Sequence, residues 1–309
     1  MKGHMKKILL PLLIVFLISL PFIIKSQYFL SLMITFFIYV ILAESWNLLG
    51  GYTGQVSLGH GAFFGVGALV TRLLWINKVP ILLSLPLGGV AATLLAAIVG
   101  IPCFRMRLAY FPIGTLALSM IALLTVSNLF ISAGALSPEL LKSYEIFSRY
   151  YIALFIVFLT IVAIYYLVRS RPGLAIVAIR DNEKAAAAIG IKTLKYKTLA
   201  LLISTFLAGL AGGIYAYQHV SYYYDAPFDL TWSFTPPLTT FIGGISTMAG
   251  PIVGSICFLA LSEIFAVTLG AVALRAGRRV MFDSTSMKIT NVAAANKFLY
   301  REYRPGWEL

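Results

Sequence analysis

The sequence predicts an all-α, polytopic membrane protein, and three observations carry that prediction. Apolar runs long enough to cross a bilayer recur along the chain, charged residues are scarce, and the basic residues sit between the runs. Of 309 residues, 60% are hydrophobic and 11% charged, whereas a soluble domain carries about 25% charged residues to cover its core. A hydrocarbon layer roughly 30 Å thick needs about 20 apolar residues per helical crossing. The 24 Lys and Arg against 11 Asp and Glu give a net charge of +13. Their grouping in short connections matches the cytoplasmic Lys/Arg excess of membrane proteins. It does not match the basic, aromatic-interleaved surface of a nucleic-acid binder.

Taken in order, residues 1–7 are basic and precede an apolar run over 8–24. No small-residue cleavage site follows, so the run reads as a retained first span with a cytoplasmic amino terminus. A second span covers about 28–49 and ends at Gly50-Gly51, and a third covers about 56–75. The fourth starts at Pro80, a residue tolerated in the first turn of a helix, and reaches 104. A fifth span follows over 108–131, then a polar loop over 132–149 and a sixth span over 150–168. The 169–197 connection holds Arg169, Arg171, Arg180, Lys184, Lys192, Lys195 and Lys197. A seventh span occupies 198–218. After a polar and aromatic loop over 219–233, an apolar region over 234–270 is broken by Gly243-Gly244 and Gly250-Pro251.

This gives about eight or nine membrane elements. Alternate crossings put Arg105, Arg107 and the 169–197 loop on one side, which the Lys/Arg bias makes cytoplasmic. Residues 1–270 form the expected membrane domain. Residues 271–309 form a polar, basic tail without a span-length apolar run.

Ionisable residues inside spans are costly and are functional candidates by default. Those here are Glu44, His60, Arg72 and Glu263. Glu44 and Glu263 fit either an interhelical hydrogen bond or a transport role, and His60 fits a buried imidazole equally well. Arg72, near a span end, is expected to snorkel. The segment from Gly50 to Gly67 is rich in glycine and also holds Gln55, Ser57 and His60. Gly61, Gly65 and Ala68 share a helical face that lets backbones approach. The hydrogen-bonding groups fit a helix break lining a cavity at Gly54, Gln55, Ser57 and His60. The same reasoning applies to Thr240, Gly243 and Gly244.

In the cytoplasmic loop, residues 180–190 read as a short helix over about 182–189. Asp181 is the expected N-cap, Glu183 lies in the first turn, and alanines fill the body. Gly190 supplies the left-handed stop. Such a short helix is marginal in water, so it either lies at the interface or docks on a partner. Cys103 and Cys257 are isolated, with no metal-ligand spacing or disulfide framework. The sequence holds no GxxxxGK[ST] phosphate loop, no catalytic triad and no metal motif. Enzymatic chemistry, a metal and a cofactor in this chain are not expected.

These residues resemble a known family. Gly51-x-x-Gly54-Gln55-x-Ser57-Leu58-Gly59-His60-x-x-Phe63-x-Gly65-x-Gly67-Ala68 is similar to the branched-chain amino acid ABC transporter permeases. So are Tyr110-Phe111, Ala178-Ile179-Arg180-Asp181-Asn182-Glu183, Ala187-x-x-Gly190-Ile191, Ala208-Gly209-Leu210-Ala211-Gly212 and Gly250-Pro251-x-x-Gly254. Motif order looks like the LivM-type subunit, and urea-type permeases look similar too.

The resemblance implies a type II ABC importer permease-like fold in a bacterial inner membrane. It implies half of a pathway for leucine, isoleucine and valine, with urea, short amides or another amino acid as alternatives. It also implies a second homologous permease, two cytoplasmic ATP-binding cassette subunits and an extracytoplasmic substrate-binding protein. Arg180, Asp181, Asn182, Glu183, Ala187 and Gly190 would then form the coupling helix that fits the ATPase. Two departures stand out: no glycine precedes the Tyr-Phe pair, and the tail after Gly270 lacks the family's final apolar span. Outside the family, an ion-coupled secondary carrier using Glu44, His60 or Glu263 is the competing reading.

Overall fold

Lipid offers no partner for a free N–H or C=O, so a chain with this hydropathy must close its backbone hydrogen bonds within helices. The computed structural model describes residues 15–104, 110–130, 145–276, 281–283 and 288–291. Residues 8–14 of the first apolar run lie outside them, as do Arg105 and Arg107. The described part of that run is helix α1, residues 15–23.

Helix α2 (Gln27–Trp46) continues as a π-helical turn over Asn47–Tyr52. Next come α3 (His60–Ile76), α4 (Ile81–Leu95) with a second π-helical turn over Ala96–Gly100, and α5 (Tyr110–Leu129). α6 (Ile146–Arg169) leads to two short helices, α7 (Arg171–Asp181) and α8 (Glu183–Ala188). α9 (Thr193–Gln218) follows, then α10 (Thr231–Gly243) and α11 (Gly250–Ala276).

Six of the described helices are long and apolar enough to cross a membrane: α2 with its π turn, α4, α5, α6, α9 and α11. α3 and α10 have 17 and 13 residues. At about 1.5 Å per residue they span roughly 26 and 20 Å, less than a full hydrocarbon layer.

The boundaries correct the sequence reading in three places. Gly50-Gly51 does not end the second span; both glycines are buried inside the π turn. α3 starts at His60 rather than near 56, because residues 53–59 are not helical. α6 starts at Ile146, so Arg149, read as loop, is a buried helical residue. A polar residue at a span end looks like loop in one dimension, and its burial depends on partners far away in sequence.

α2 and α9 are the most buried spans. α9 packs on α3 and α4, and α2 packs on α6, α9 and α10. Glycine makes the α3–α9 contact possible: a Cβ on Gly67 would collide with the Gly209 backbone, and one on Gly212 with the Phe64 carbonyl. With no hydrophobic drive between helices in lipid, such close backbone approach supplies the packing.

The chain divides into two units, Met1–Ile256 and Cys257–Leu309. The second carries the far part of α11 and a short antiparallel pair, β1 (Phe282–Asp283) and β2 (Lys288–Ile289), with Phe282 opposite Ile289. This pair departs from an all-helical reading in a tail that has no span-length apolar run.

Candidate functional site

Two interruptions of helical structure, about 200 residues apart in sequence, meet in space. In the first, the Trp46 ring fills the place a Gly50 side chain would need, and Trp46 Nε1 donates to the Ser57 carbonyl at 2.7 Å. The Asn47 side chain likewise fills the place beside Gly51. In the second, α10 stops at Gly243, with Gly244 at φ +116 and Ser246 at φ +61.

Asn47 joins the two. Its Nδ2 donates to the Thr247 carbonyl at 2.9 Å, and its Oδ1 accepts from the Ser246 N–H at 2.9 Å. Ser246 Oγ donates back to the Gly51 carbonyl at 2.8 Å. Thr240 Oγ1 adds a bond to the Ala43 carbonyl at 3.3 Å. Side chains thus satisfy backbone groups at the breaks, among them the Thr247 carbonyl and the Ser246 N–H.

The sequence-predicted residues fall around this junction. Gly54 has φ +73, and the Arg180 side chain packs on it: a Cβ there would lie 3.1 Å from Arg180 Cγ. Gln55 is half-buried and its backbone N–H donates to the Leu49 carbonyl at 2.9 Å. Ser57 is buried and its Oγ accepts from the Gly59 N–H at 3.2 Å.

His60 is buried with Nε2 3.0 Å from Ser204 Oγ, and Ser204 Oγ lies 2.7 Å from the Ser45 carbonyl. The single hydroxyl proton goes to that carbonyl, so Nε2 carries the imidazole proton and donates to Ser204. This chain ties α3 to α9 and α2. Glu44 is fully buried beside Asn47, and neither carboxylate oxygen makes an interhelical hydrogen bond. Glu263 belongs to the second unit, half-buried on α11.

The connection between α6 and α9 is more elaborate than the single helix the sequence suggests. Ser170 caps α7, its Oγ accepting from the Gly173 N–H at 3.4 Å, with Pro172 in the first turn. Asp181 ends α7 and does not cap α8. Asn182 is the cap, its Oδ1 accepting from the Ala185 N–H at 3.0 Å. The sequence reading placed the cap one residue early because Asp and Asn cap equally well.

Arg180 and Asp181 bond each other at 2.8 Å. Glu183 is held within the chain by Lys197 Nζ at 2.6 Å, and Lys197 is nearly buried. Ala186 packs inward, while Ala185, Ala187, Ala188 and Ile189 are exposed. Gly190 has φ +89 with open space around it.

At the end of α9 away from these helices lies a second polar cluster. Arg72 is fully buried, so it does not snorkel. Its guanidinium donates to the carbonyls of Ala216, His219 and Val220 at 2.9–3.1 Å, closing the C-terminus of α9. It also lies 4.9 Å from the Tyr222 ring centre. Arg149 sits 4.4 Å over Tyr217 and donates to the Gln218 carbonyl at 3.4 Å. Burial holds the Tyr222 phenol well above its ordinary range. It also lowers the His219 imidazole, a shift opposed by its hydrogen bond to the Tyr215 carbonyl and reinforced by nearby Arg72.

Sequence reasoning missed Asn47 and Arg149, and it named Ser246 and Lys197 without their partners. For Asn47 the available signal was a polar amide inside an apolar run; its partner was not readable. Among the described residues no group of His, Cys, Asp or Glu could hold a metal ion.

Comparison with known proteins gives the family. The model for the branched-chain amino acid transport system permease component matches residues 28–284. The chain is 26% identical to the high-affinity branched-chain amino acid transport system permease protein LivM of Salmonella typhimurium, over 90% of this chain and 69% of that protein. Identity and coverage are the same for LivM of Escherichia coli. A probable branched-chain amino acid transport permease protein LivM of Methanocaldococcus jannaschii is 25% identical, over 74% of this chain and 78% of that protein. No solved structure matches. These relatives are named as permeases, not as enzymes. With the family match running through every span from α2 to α11 and through both short helices, the chain belongs to the branched-chain amino acid transport permease family.

Proposed function

We infer that this chain is a membrane-spanning subunit of an ATP-driven importer and forms half of the translocation pathway for leucine, isoleucine and valine. The observation that carries the reading is the family match over 28–284, together with LivM relatives aligned over 90% of the chain. The partners are a second homologous permease, two cytoplasmic ATP-binding cassette subunits and an extracytoplasmic substrate-binding protein. The surface of α8 formed by Ala185, Ala187, Ala188 and Ile189 is exposed, which supports docking of that helix on the ATPase. Arg180, Asp181, Asn182, Glu183, Ala187 and Gly190 shape that contact. Gly54, Gln55, Ser57, His60, Thr240, Gly243 and Gly244 form the helix-break side of the pathway.

The chain lies in a bacterial inner membrane with its amino terminus and the 169–197 loop in the cytoplasm. A cysteine placed at Lys192 should resist an impermeant thiol reagent in intact cells, and ready labelling would reverse this orientation.

The decisive experiment reconstitutes the full complex in vesicles and follows uptake of labelled leucine, isoleucine and valine, with urea and short amides as competitors. Uptake should require ATP and survive collapse of the proton gradient. Uptake that persists without the ATPases and disappears with the gradient would favour a secondary carrier. The buried Glu44 carboxylate is the feature that would serve it.

A further inference from the structure

We propose that the Asn47 junction is a latch that parts during each transport cycle and that Arg180 bearing on Gly54 is its trigger. The inference rests on the ATP-driven reading above and deepens it.

Four observations carry it. First, the two helix breaks are joined across this seam by polar side-chain and backbone bonds: Asn47 to Thr247 and Ser246, Ser246 to Gly51, and Thr240 to Ala43. Such bonds can be exchanged for water at modest cost, unlike a packed apolar seam. Second, Ser246 holds φ +61, a conformation L residues rarely adopt. The bonds of its N–H and Oγ to the α2 break keep it there, so parting the latch relaxes it. Third, the Ser246–Thr247 turn is not sealed: Thr247 is exposed and Ser246 half-buried, whereas Asn47 beneath it is fully buried. Fourth, the break ends at Gly54, whose missing side chain admits the Arg180 stem from α7. Displacement of α7 and α8 therefore reaches the latch through backbone residues 47–54 without crossing the lipid-facing helices.

The test uses the full complex in vesicles, with Cys103 and Cys257 replaced by serine, and the pair Asn47→Cys and Ser246→Cys joined by a short cleavable thiol cross-linker. Linking should abolish ATP-dependent uptake, and cleaving the linker should restore it. A purely structural junction would tolerate the link, so unchanged uptake with the link complete overturns the latch while leaving the transport function standing. A parent complex, with Asn47 and Ser246 intact, that shows no ATP-dependent uptake overturns the transport reading, and the latch with it.

Should the double variant fail to assemble, Asn47→Ala and Ser246→Ala serve instead. Each should raise ATP hydrolysis uncoupled from uptake, by about tenfold for Asn47, which removes two bonds, and less for Ser246. Hydrolysis that stays coupled in both variants overturns the proposal.

Discussion

The two ends of α9 are built on opposite principles. Near its C-terminus, buried Arg72 donates to three carbonyls and lies against aromatic rings. Near its N-terminus, Lys197 holds the first turn of α8 through one ion pair, and α8 itself is largely exposed. A charge removed from water and satisfied by several carbonyls resists displacement, because moving it leaves every partner uncompensated. A half-exposed pair and a six-residue helix can shift at little cost. The difference leaves one end held by several buried bonds and the other by a single ion pair.

The largest effect should come from the rigid end. Arg72→Leu leaves three carbonyls, that of buried Ala216 among them, without their donor and should cost about 3 kcal/mol or more, read as an earlier unfolding transition in detergent. Arg72→Lys should recover part of the loss, since a point charge reaches fewer of the carbonyls. If Arg72→Leu unfolds like the parent, the two ends do not differ in the way described.

Gly190→Val comes next. With open space around Gly190, the cost is conformational alone, about 1–2 kcal/mol for a left-handed L residue, confined to the stop of α8. Co-purification of the ATPase should fall while insertion and the global unfolding transition stay near the parent's. A matching fall in both would place Gly190 in the folding core instead.

Glu183→Lys should cost about 1 kcal/mol of stability, because Glu183 is half-exposed although Lys197 is nearly buried, and it puts like charge against Lys197. The double reversal Glu183→Lys with Lys197→Glu restores the attraction and should recover ATPase association. Failure of the reversal to rescue would mean that Glu183 contacts the partner directly.

The smallest effect concerns pH at the rigid end. The His219 imidazole is depressed in the folded chain by burial. The unfolded chain therefore takes up a proton first as pH falls below about 6.5. Stability is complete above that value and declines below it, and His219→Gln should flatten the decline. An unchanged acid limb in thermal melts would remove His219 from the account.

Much of the fold was legible because lipid imposes one rule, and apolar length reports it directly. The spans over 28–49, 80–104, 108–131 and 198–218 lie close to α2, α4, α5 and α9. The left-handed stop at Gly190 was readable because only local backbone sterics decide it. The junction was not. Asn47 finds its partners about 200 residues away, and nothing local distinguishes such an amide from one that bonds within its own helix. Arg149 failed for the mirror-image reason: its loop-like surroundings conceal the Tyr217 ring that shelters it.

The pairing of Lys197 with Glu183 also makes this end of α9 its own chemical reporter. An ammonium engaged at 2.6 Å and largely shielded from water is a poor nucleophile toward an acylating reagent. Lys184, Lys192 and Lys195 stand exposed in the same 169–197 connection and provide internal standards. The acylation of Lys197 relative to those three therefore tracks how often α8 leaves its seat. Mass spectrometry can follow that ratio with and without the ATPase, using only the lysines the chain already carries.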